Sequence, residues 1–486
     1  MQGGSFIKHF LILSAGTLAN MLLALLTTPI ITRMVDPAYY GSYSLFSTYG
    51  TLALSVAGLG LDSTLVRYFY IEENDEYRAA LLRFCYILPN LAFSALIAAA
   101  ILILLIFRRD LVSMDNACLA GAFAIFVVIL ILNRTSSLVL RLHYNTKRLA
   151  WTSVLNKAVF AALAIAGLWL SGGEYGFPIL VFALLVGYLV VTTYQILPER
   201  AIWHDAVFGK LVFQAWKEGL KYGLPFVAAS AAGSFLGSAG QVFLGAFATT
   251  ADVGIYAAAL TISHIFAIIQ SSFNTLWAPA SIERYEKDPE EREVYIRAHK
   301  VMALVMISMG LLFILFKDVI VFLLGSGYRG ASIALPFLCL QPVYYTLSET
   351  TVCGMVFMKR SDYQLYSSLI ACGSCALLCW ILVPVLGVRG AAIATGVSYV
   401  VFFCTRTLFS NLVFPISFNL GRLSIASFML LAYCVWATFF AFSIAMVFYY
   451  LVAQTVVLVL YKDSLGDVLN MVRGLAGKFR RLDSEP

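Results

Sequence analysis

The chain alternates long stretches without charged residues and short polar segments. Charge-free runs cover residues 9–32, 37–61, 84–107, 116–133, 175–198, 222–251, 253–282, 330–348 and 363–388. A helix that crosses ~30 Å of hydrocarbon needs roughly 20 apolar residues, so each of these runs predicts a membrane-spanning helix. Three shorter runs, 158–173, 301–316 and 390–405, reach that length once their flanking residues are added.

The last charge-free run, residues 423–461, is too long for one crossing. A single helix of this length would extend roughly 58 Å at ~1.5 Å per residue. We therefore predict two short spans joined by a tight turn. The first apolar segment ends in Pro-Ile-Ile-Thr-Arg rather than at a small-residue cleavage site, so it is kept as helix 1. The pattern as a whole predicts an all-α polytopic membrane protein with about fourteen transmembrane helices.

The amino-acid composition also indicates that most of the chain lies in a membrane. Hydrophobic residues make up 61% of the 486 positions and charged residues only 12%, whereas an ordinary soluble domain is about 25% charged. Most of the 33 Lys and Arg residues fall at the termini and in the loops on one side of the predicted spans. This bias places both termini in the cytoplasm and explains the net charge of +7 without a nucleic-acid partner. The opposite loops carry only Arg33, Arg108, Arg109, Lys317, Arg329 and Arg389.

Two sequence echoes indicate an internal repeat. Gly41-Ser-Tyr43 returns as Gly254-Ile-Tyr256, and the loop before Gly176 resembles the loop before Gly390, at nearly the same offset. Two six-helix halves begin on the same side of the membrane, so they are parallel repeats that we expect to enclose a central cavity. The predicted organisation is an N-terminal lobe (1–198), a cytoplasmic amphipathic linker helix (199–221), a C-terminal lobe (222–422), helices 13 and 14 (423–461) and a basic cytoplasmic tail (462–486).

Four stretches carry a family resemblance. TTPIITRMVDPAYYGSYSL (27–45), GLGLDSTLVRYFY (58–70), TTADVGIYAAA (249–259) and LGVRGAAIATGVSYVV (386–401) resemble the Wzx-type polysaccharide flippases of the MATE-like exporter superfamily. The resemblance implies alternating access between two lobes, coupled to an ion gradient, that moves an undecaprenyl-pyrophosphate-linked oligosaccharide to the outer leaflet of the bacterial cytoplasmic membrane. It also implies a role in O-antigen, lipopolysaccharide or exopolysaccharide synthesis, with polysaccharide polymerase and chain-length proteins as partners.

Helix 1 departs from two related groups. It has no acidic residue of the kind several MATE drug exporters use for ion binding, and no internal arginine as in flippases of the peptidoglycan precursor. A MATE-like exporter of small organic cations nevertheless remains the alternative function, and an acidic cavity would favour it. A third hypothesis is that the protein is a polysaccharide polymerase. The short loops predicted on the outer side of the membrane argue against it.

Cationic residues inside the predicted spans are candidates for binding pyrophosphate, because charge within a membrane is costly and guanidinium groups suit phosphate. Lys157 lies about nine residues, roughly 13 Å, into helix 5 from Arg148. Arg134 precedes Arg141 by seven residues and shares a helix face with it. Snorkelling toward the lipid head groups is the alternative role for both. Two further cationic candidates are Arg67 at the interface and Arg33 at the outer end of helix 1.

Acidic and polar residues complete the candidate site. Glu349 lies ten residues before Lys359, about 15 Å from that interface, and is an ion-coupling candidate. It could instead neutralise Lys157, form another structural pair or stay protonated. Asp62 is a second coupling candidate, with a structural role as its alternative. Polar side chains that could line a sugar path are Gln241, His264, Gln270 and Asn274.

Enzymatic signatures are weak. GLAGKF (474–479) lacks the spacing of a phosphate loop, and GLGLDS (58–63) is not a dinucleotide fingerprint. Cys372, Cys375 and Cys379 sit in one apolar run without His or acidic neighbours, which favours packing over metal binding. The sequence therefore predicts no enzyme, no metal site and no cofactor.

Overall fold

The computed structural model describes residues 3–72, 74–107, 114–143, 145–209 and 212–466. Within these ranges the chain is helical apart from short turns and loops, as predicted. Ten of the described helices are long and apolar enough to cross a membrane, or up to eleven if one bent pair is a single span.

The first ten helices, in chain order, are α1 (Gly3–Met34), α2 (Pro37–Ala57), α3 (Leu61–Tyr68), α4 (Asp75–Phe107), α5 (Met114–Leu142), α6 (Thr146–Ser171), α7 (Gly176–Ile196), α8 (Arg200–Phe208), α9 (Trp216–Phe247) and α10 (Thr250–Ser263). The remaining ten are α11 (Ala267–Lys287), α12 (Glu293–Leu315), α13 (Lys317–Phe322), α14 (Ala331–Leu338), α15 (Leu340–Thr351), α16 (Cys353–Phe357), α17 (Ser361–Leu386), α18 (Val388–Val413), α19 (Leu420–Phe439) and α20 (Ile444–Leu460).

Three predicted spans are interrupted helices. α2 and α3 meet at a bend of 54°, and a 3-10 turn separates α10 from α11. The span predicted over 330–348 consists of α14 and most of α15, and α16 follows it. Pro342 at the start of α15 lacks the N–H that would continue the helical hydrogen bonds. When each interrupted set is counted once, the long elements match the predicted spans. The prediction of about fourteen spans is thus confirmed as an approximate count.

The chain divides into two compact units, Met1–Ala257 and Ala258–Pro486. In the first unit, α6 packs between α1 and α7, while α2 contacts α5, α7 and α9. In the second, α18 packs against α14, α15 and α17, and α12 contacts α15, α19 and α20. α9 and the start of α10 belong to the first unit. The six-helix lobes, with boundaries at residues 198 and 222, stay a prediction.

The first echo forms a reciprocal contact inside the first unit. A Cβ on Gly41 would overlap the carbonyl oxygen of Thr250, and a Cβ on Gly254 would overlap the carbonyl oxygen of Pro37. Pro37 and Thr250 occupy equivalent positions in the two echoed segments, because each precedes its glycine by four residues. Such mutual contacts are the geometry of two segments related by a local two-fold axis. Glycine at both positions allows the two backbones to meet.

The start of each echoed helix is capped by its own sequence. Asp36 accepts a hydrogen bond from the Ala38 amide at 2.8 Å, and Pro37 occupies the first helical position. At α10, the Thr249 hydroxyl accepts from the Asp252 amide at 3.2 Å, and the Asp252 carboxylate accepts from the Thr249 amide at 3.1 Å. These local signals fix where both helices begin.

The predicted linker helix is shorter than its sequence pattern indicates. α8 ends at Phe208, and α9 begins at Trp216. Trp203 is buried and stacks edge-on against Tyr86 of α4, whereas Val207 on the predicted apolar stripe is exposed. Lys210 and Leu211 lie outside the described residues, as does the basic tail from residue 467.

The C-terminal helix pair is confirmed. α19 and α20 are separated by the turn at 440–443 and pack against each other and against α12. The prediction that the last charge-free run forms two helices rather than one is therefore confirmed.

Candidate functional site

A break in the second span determines the position of α3. Leu59 and Gly60 adopt positive φ values of 50° and 65°, which a glycine tolerates best. A Cβ on Gly60 would overlap the carbonyl oxygen of Gly223 in α9. The buried Thr64 hydroxyl donates to the carbonyl oxygen of Gly219 at 2.7 Å. The bend and this hydrogen bond hold α3 against α9.

α3, α5 and α9 border an open cavity of about 770 Å³ within the first unit. Arg134, Leu138 and Arg141 line it because residues at i, i+4 and i+7 share one face of α5. Beyond α3, the Tyr70 hydroxyl donates to the carbonyl oxygen of Leu142 at the end of α5. We call this space the basic cavity; its lining residues are Asp62, Ser63, Val66, Arg67, Tyr70, Ile71, Arg134, Leu138, Arg141, Tyr222 and Phe226.

Positive charge dominates the basic cavity. Its lining holds three guanidinium groups, those of Arg67, Arg134 and Arg141, and one carboxylate, that of Asp62. Arg134 Nε donates to Asp62 Oδ2 at 2.6 Å, with the two side chains 54% and 39% exposed. A pair this open to solvent adds little stability, so Arg134 can exchange its partner at small cost. Arginine binds phosphate oxygens through paired N–H groups, so the cavity can hold a phosphate-bearing anion.

The structure brings three of the predicted residues together here: Asp62, Arg67 and Arg134. It adds Arg141, which was not among the candidates. The signal that could have identified Arg141 is its seven-residue spacing from Arg134 on one helix.

Lys157 and Arg33 are not among the residues that line the basic cavity. Lys157 lies within α6, half-buried, with its Nζ 5.3 Å from the centre of the Phe160 ring. Phe160 in turn stacks on Tyr43 at 5.6 Å. Arg33 is exposed in the last turn of α1. Lys157 and Arg134 therefore do not line this cavity together, and a joint phosphate site of the two stays a prediction.

Gln241 joins two helices of the first unit. Its side chain is buried, its amide oxygen accepts from the Thr48 hydroxyl, and its amide nitrogen donates to Ser44 Oγ at 3.1 Å. Both partners lie on α2. The polar group that the sequence suggested for a sugar path is thus engaged in α2–α9 packing.

In the second unit, Glu349 forms an ion pair with Arg406. The Arg406 guanidinium donates to Glu349 Oε1 at 2.7 Å and to Ser348 Oγ at 2.7 Å. It also lies 4.9 Å from the centre of the Phe402 ring. The two charged side chains are only 10% and 20% exposed. The cation that pairs with Glu349 is thus Arg406 within α18, which was not among the candidates.

The other polar candidates follow an interrupted helix. His264 is exposed at the 3-10 turn between α10 and α11, so the span predicted over 253–282 is not one continuous helix. Gln270 and Asn274 lie half-buried on α11. The Asn274 Oδ1 atom is buried without a hydrogen-bond partner among the described residues.

These features define a class of protein. Many apolar helices in two units, with arginines at an open cavity and a largely buried ion pair, are typical of a polytopic membrane transporter rather than a soluble enzyme. Residues 6–284 match the sequence model for the polysaccharide biosynthesis protein family. The match covers more than half of the chain, so the chain belongs to that family. No curated protein sequence matches the chain.

Solved structures share the fold. The lipid II flippase MurJ in an inward closed conformation aligns with a TM-score of 0.67 at 17% identity, over 95% of this chain and 99% of that one. An inward-facing multidrug resistance MATE transporter of the MOP superfamily aligns at 0.59 and 16% identity, covering 81% and 94%. A MOP superfamily transporter from Pyrococcus furiosus, described as having a binding pocket of reverse polarity, aligns at 0.55 and 18% identity, covering 83% and 95%. At these identities the likeness shows the MATE/MurJ-like fold and not the substrate.

Proposed function

We propose that this protein is a flippase that moves an undecaprenyl-pyrophosphate-linked oligosaccharide from the cytoplasmic to the outer leaflet of the bacterial cytoplasmic membrane. It would act in cell-surface polysaccharide biosynthesis, supplying substrate to a polymerase and its chain-length proteins. Family membership and the fold support transport of a lipid-linked substrate. The observation that carries the proposal is the charge of the basic cavity, three arginines against one carboxylate.

A pyrophosphate fits this cavity chemically. Its oxygens accept the paired N–H donors of Arg67, Arg134 and Arg141, and its charge balances the surplus of cations. A volume of about 770 Å³ falls in the range of small-ligand sites. An exporter of organic cations needs a surplus of carboxylates at its site, and the basic cavity has the opposite charge.

Alternating access needs an element that responds to the driving ion. Glu349 and Asp62 are the carboxylates we propose for this role, because each is paired with an arginine that a bound cation or proton would release. Protonation of either carboxylate would free its arginine to rearrange. In this proposal the ion gradient acts by breaking one of these two pairs.

The test is the leaflet distribution of undecaprenyl-linked lipids in cells with and without the gene. Mass spectrometry combined with a membrane-impermeant sugar reagent distinguishes the two leaflets. We expect one lipid-linked oligosaccharide to accumulate on the cytoplasmic side when the gene is deleted. Unchanged lipids together with altered sensitivity to cationic dyes would overturn the proposal in favour of a cation exporter.

Variants connect the activity to the basic cavity. Arg134→Gln and Arg141→Gln each remove a charged hydrogen-bond donor worth about 1.5–3 kcal/mol, so flipping should fall about tenfold or more. Arg148→Gln is the matched control. Its guanidinium stacks 4.2 Å from the Tyr194 ring and is not among the cavity-lining residues. Equal loss in all three variants would indicate that the cavity has no special role.

A further inference from the structure

A second cavity, of about 650 Å³, lies in the second unit where several helices begin or end. It is lined by Leu315 at the end of α12, Lys317 at the start of α13, Ser332 in α14, Arg389 at the start of α18 and Thr438 at the end of α19. The adjoining loops all connect an odd-numbered predicted span to an even-numbered one. The charge bias assigns these loops to the extracytoplasmic face. We call this space the outer cavity.

Cations exceed anions in the outer cavity. Lys317 is 4% exposed, and its Nζ donates to both carboxylate oxygens of Asp318 at 3.1 and 3.2 Å. Arg389 adds a second positive charge, and no salt bridge involves it within the described part of the chain. The lining therefore has one cation more than it has carboxylates, which favours an anionic ligand.

Two buried polar atoms in the outer cavity lack partners among the described residues. They are Arg389 Nε and the hydroxyl of Thr438, a residue only 2% exposed. Buried polar groups in folded proteins are nearly always hydrogen-bonded. Both atoms can donate a hydrogen bond, and an oxygen with several lone pairs can satisfy both. A phosphate group has this property and also matches the surplus of positive charge.

The walls next to these groups are apolar and exposed. Phe440 and Phe442, in the turn between α19 and α20, are 64% and 54% exposed, and Val319 of α13 is 65% exposed. Phe439 lies beneath the Arg389 guanidinium at 5.7 Å from its ring centre. Aromatic residues at helix ends are typical of the membrane interface. The cavity thus offers charged donors beside hydrocarbon-compatible surface, as an amphiphile requires.

We propose that the outer cavity binds the phosphate head group of an anionic membrane lipid at the extracytoplasmic face. Lys317, Arg389 and Thr438 contact the phosphate oxygens, and the aromatic side chains of the α19–α20 turn contact the start of the acyl chains. This site involves none of the residues of the basic cavity. It would be present whether the protein flips a lipid-linked sugar or exports another substrate.

The experiment is lipid titration of the purified full-length protein in detergent, followed by native mass spectrometry. The probes are dioleoyl phosphatidic acid, neutral dioleoylglycerol and inorganic phosphate. We expect phosphatidic acid to bind, dioleoylglycerol to bind at least tenfold more weakly, and Arg389→Gln to weaken phosphatidic acid binding about tenfold. Arg329→Gln is the matched control on the same face, because its guanidinium stacks 4.5 Å from the Phe322 ring and does not line the cavity.

Thr438→Val separates binding from folding. The two side chains have nearly the same shape, and the Thr438 hydroxyl has no partner among the described residues that folding would lose. We therefore expect weaker phosphatidic acid binding without a lower unfolding temperature of the lipid-free protein. Unchanged binding with a lower unfolding temperature would mean that the hydroxyl is structural, and it would overturn the assignment.

Two further results would also overturn it. If inorganic phosphate binds in the same concentration range and with the same dependence on Arg389, the ligand is a soluble anion and not a lipid. If Arg389→Gln and Arg329→Gln weaken phosphatidic acid binding equally, the lipid is held by general surface charge and not by this cavity.

Discussion

The ion pair of Glu349 and Arg406 allows a direct test of how largely buried charges are stabilised in the second unit. We consider Arg406→Met, which keeps a long side chain and removes the cation, and Glu349→Gln, which removes the anion and keeps an amide oxygen as acceptor. The double variant contains neither charge. These three variants and the wild type together form a double-mutant cycle.

The geometry sets the expected magnitudes. With the two side chains 10% and 20% exposed, Arg406→Met leaves a largely buried carboxylate without its cation, which costs about 3–5 kcal/mol. Glu349→Gln should cost less, because Arg406 keeps Ser348 at 2.7 Å and the Phe402 ring at 4.9 Å. In the double variant no unpaired charge remains, so its loss should be smaller than the sum of the single losses by about 1–3 kcal/mol.

The measurement is equilibrium unfolding of the purified variants in mixed detergent micelles. Arg360→Met is the comparison, because Arg360 pairs with Asp362 at 2.7 Å in the same unit but both side chains are largely exposed, so solvent screens the pair. Additive losses in the cycle, or an Arg360→Met effect as large as that of Arg406→Met, would refute the reasoning. If Glu349→Gln unfolds like the wild type but abolishes flipping, Glu349 acts in coupling rather than in structure.

Three further changes test the packing of the first unit by the same unfolding measurement. Gly41→Ala places a methyl group against the Thr250 carbonyl and should lower the free energy of unfolding by about 1–3 kcal/mol. Gly121→Ala is the control, because a Cβ at Gly121 would touch nothing, and it should cause no loss of stability. Equal losses in the two variants would contradict the close contact at Gly41. Thr64→Val removes the hydroxyl that donates to the Gly219 carbonyl and should cost about 0.5–1.5 kcal/mol, whereas no change would mean that this bond is unimportant. Gly172 has a φ of +63°, and a Cβ at this position would touch nothing. Gly172→Ala should therefore lower the free energy of unfolding by about 1–2 kcal/mol through backbone strain alone. An unchanged stability would exclude such strain.

Three residues of the basic cavity, Asp62, Arg67 and Arg134, could be predicted from the sequence one by one. Arg134 and Lys157 were both predicted to lie inside spans, and both lie within long helices, α5 and α6. Arg406 directly follows the charge-free run 390–405 and was not among the candidates, yet α18 continues around it to Val413. A charge inside a membrane helix is costly, and pairing with a partner from another helix lowers that cost. No pattern along the chain reveals that partner.

The sequence by itself determined the class of protein. Run lengths decided where the long helices lie, because a backbone in lipid must satisfy its hydrogen bonds within each helix. A local signal, the Asp36 cap followed by Pro37, decided where α2 begins. Only the tertiary structure decided which charges meet. Asp62 with Arg134 and Glu349 with Arg406 join residues 72 and 57 positions apart, and such pairs depend on how helices pack rather than on the period of any one of them.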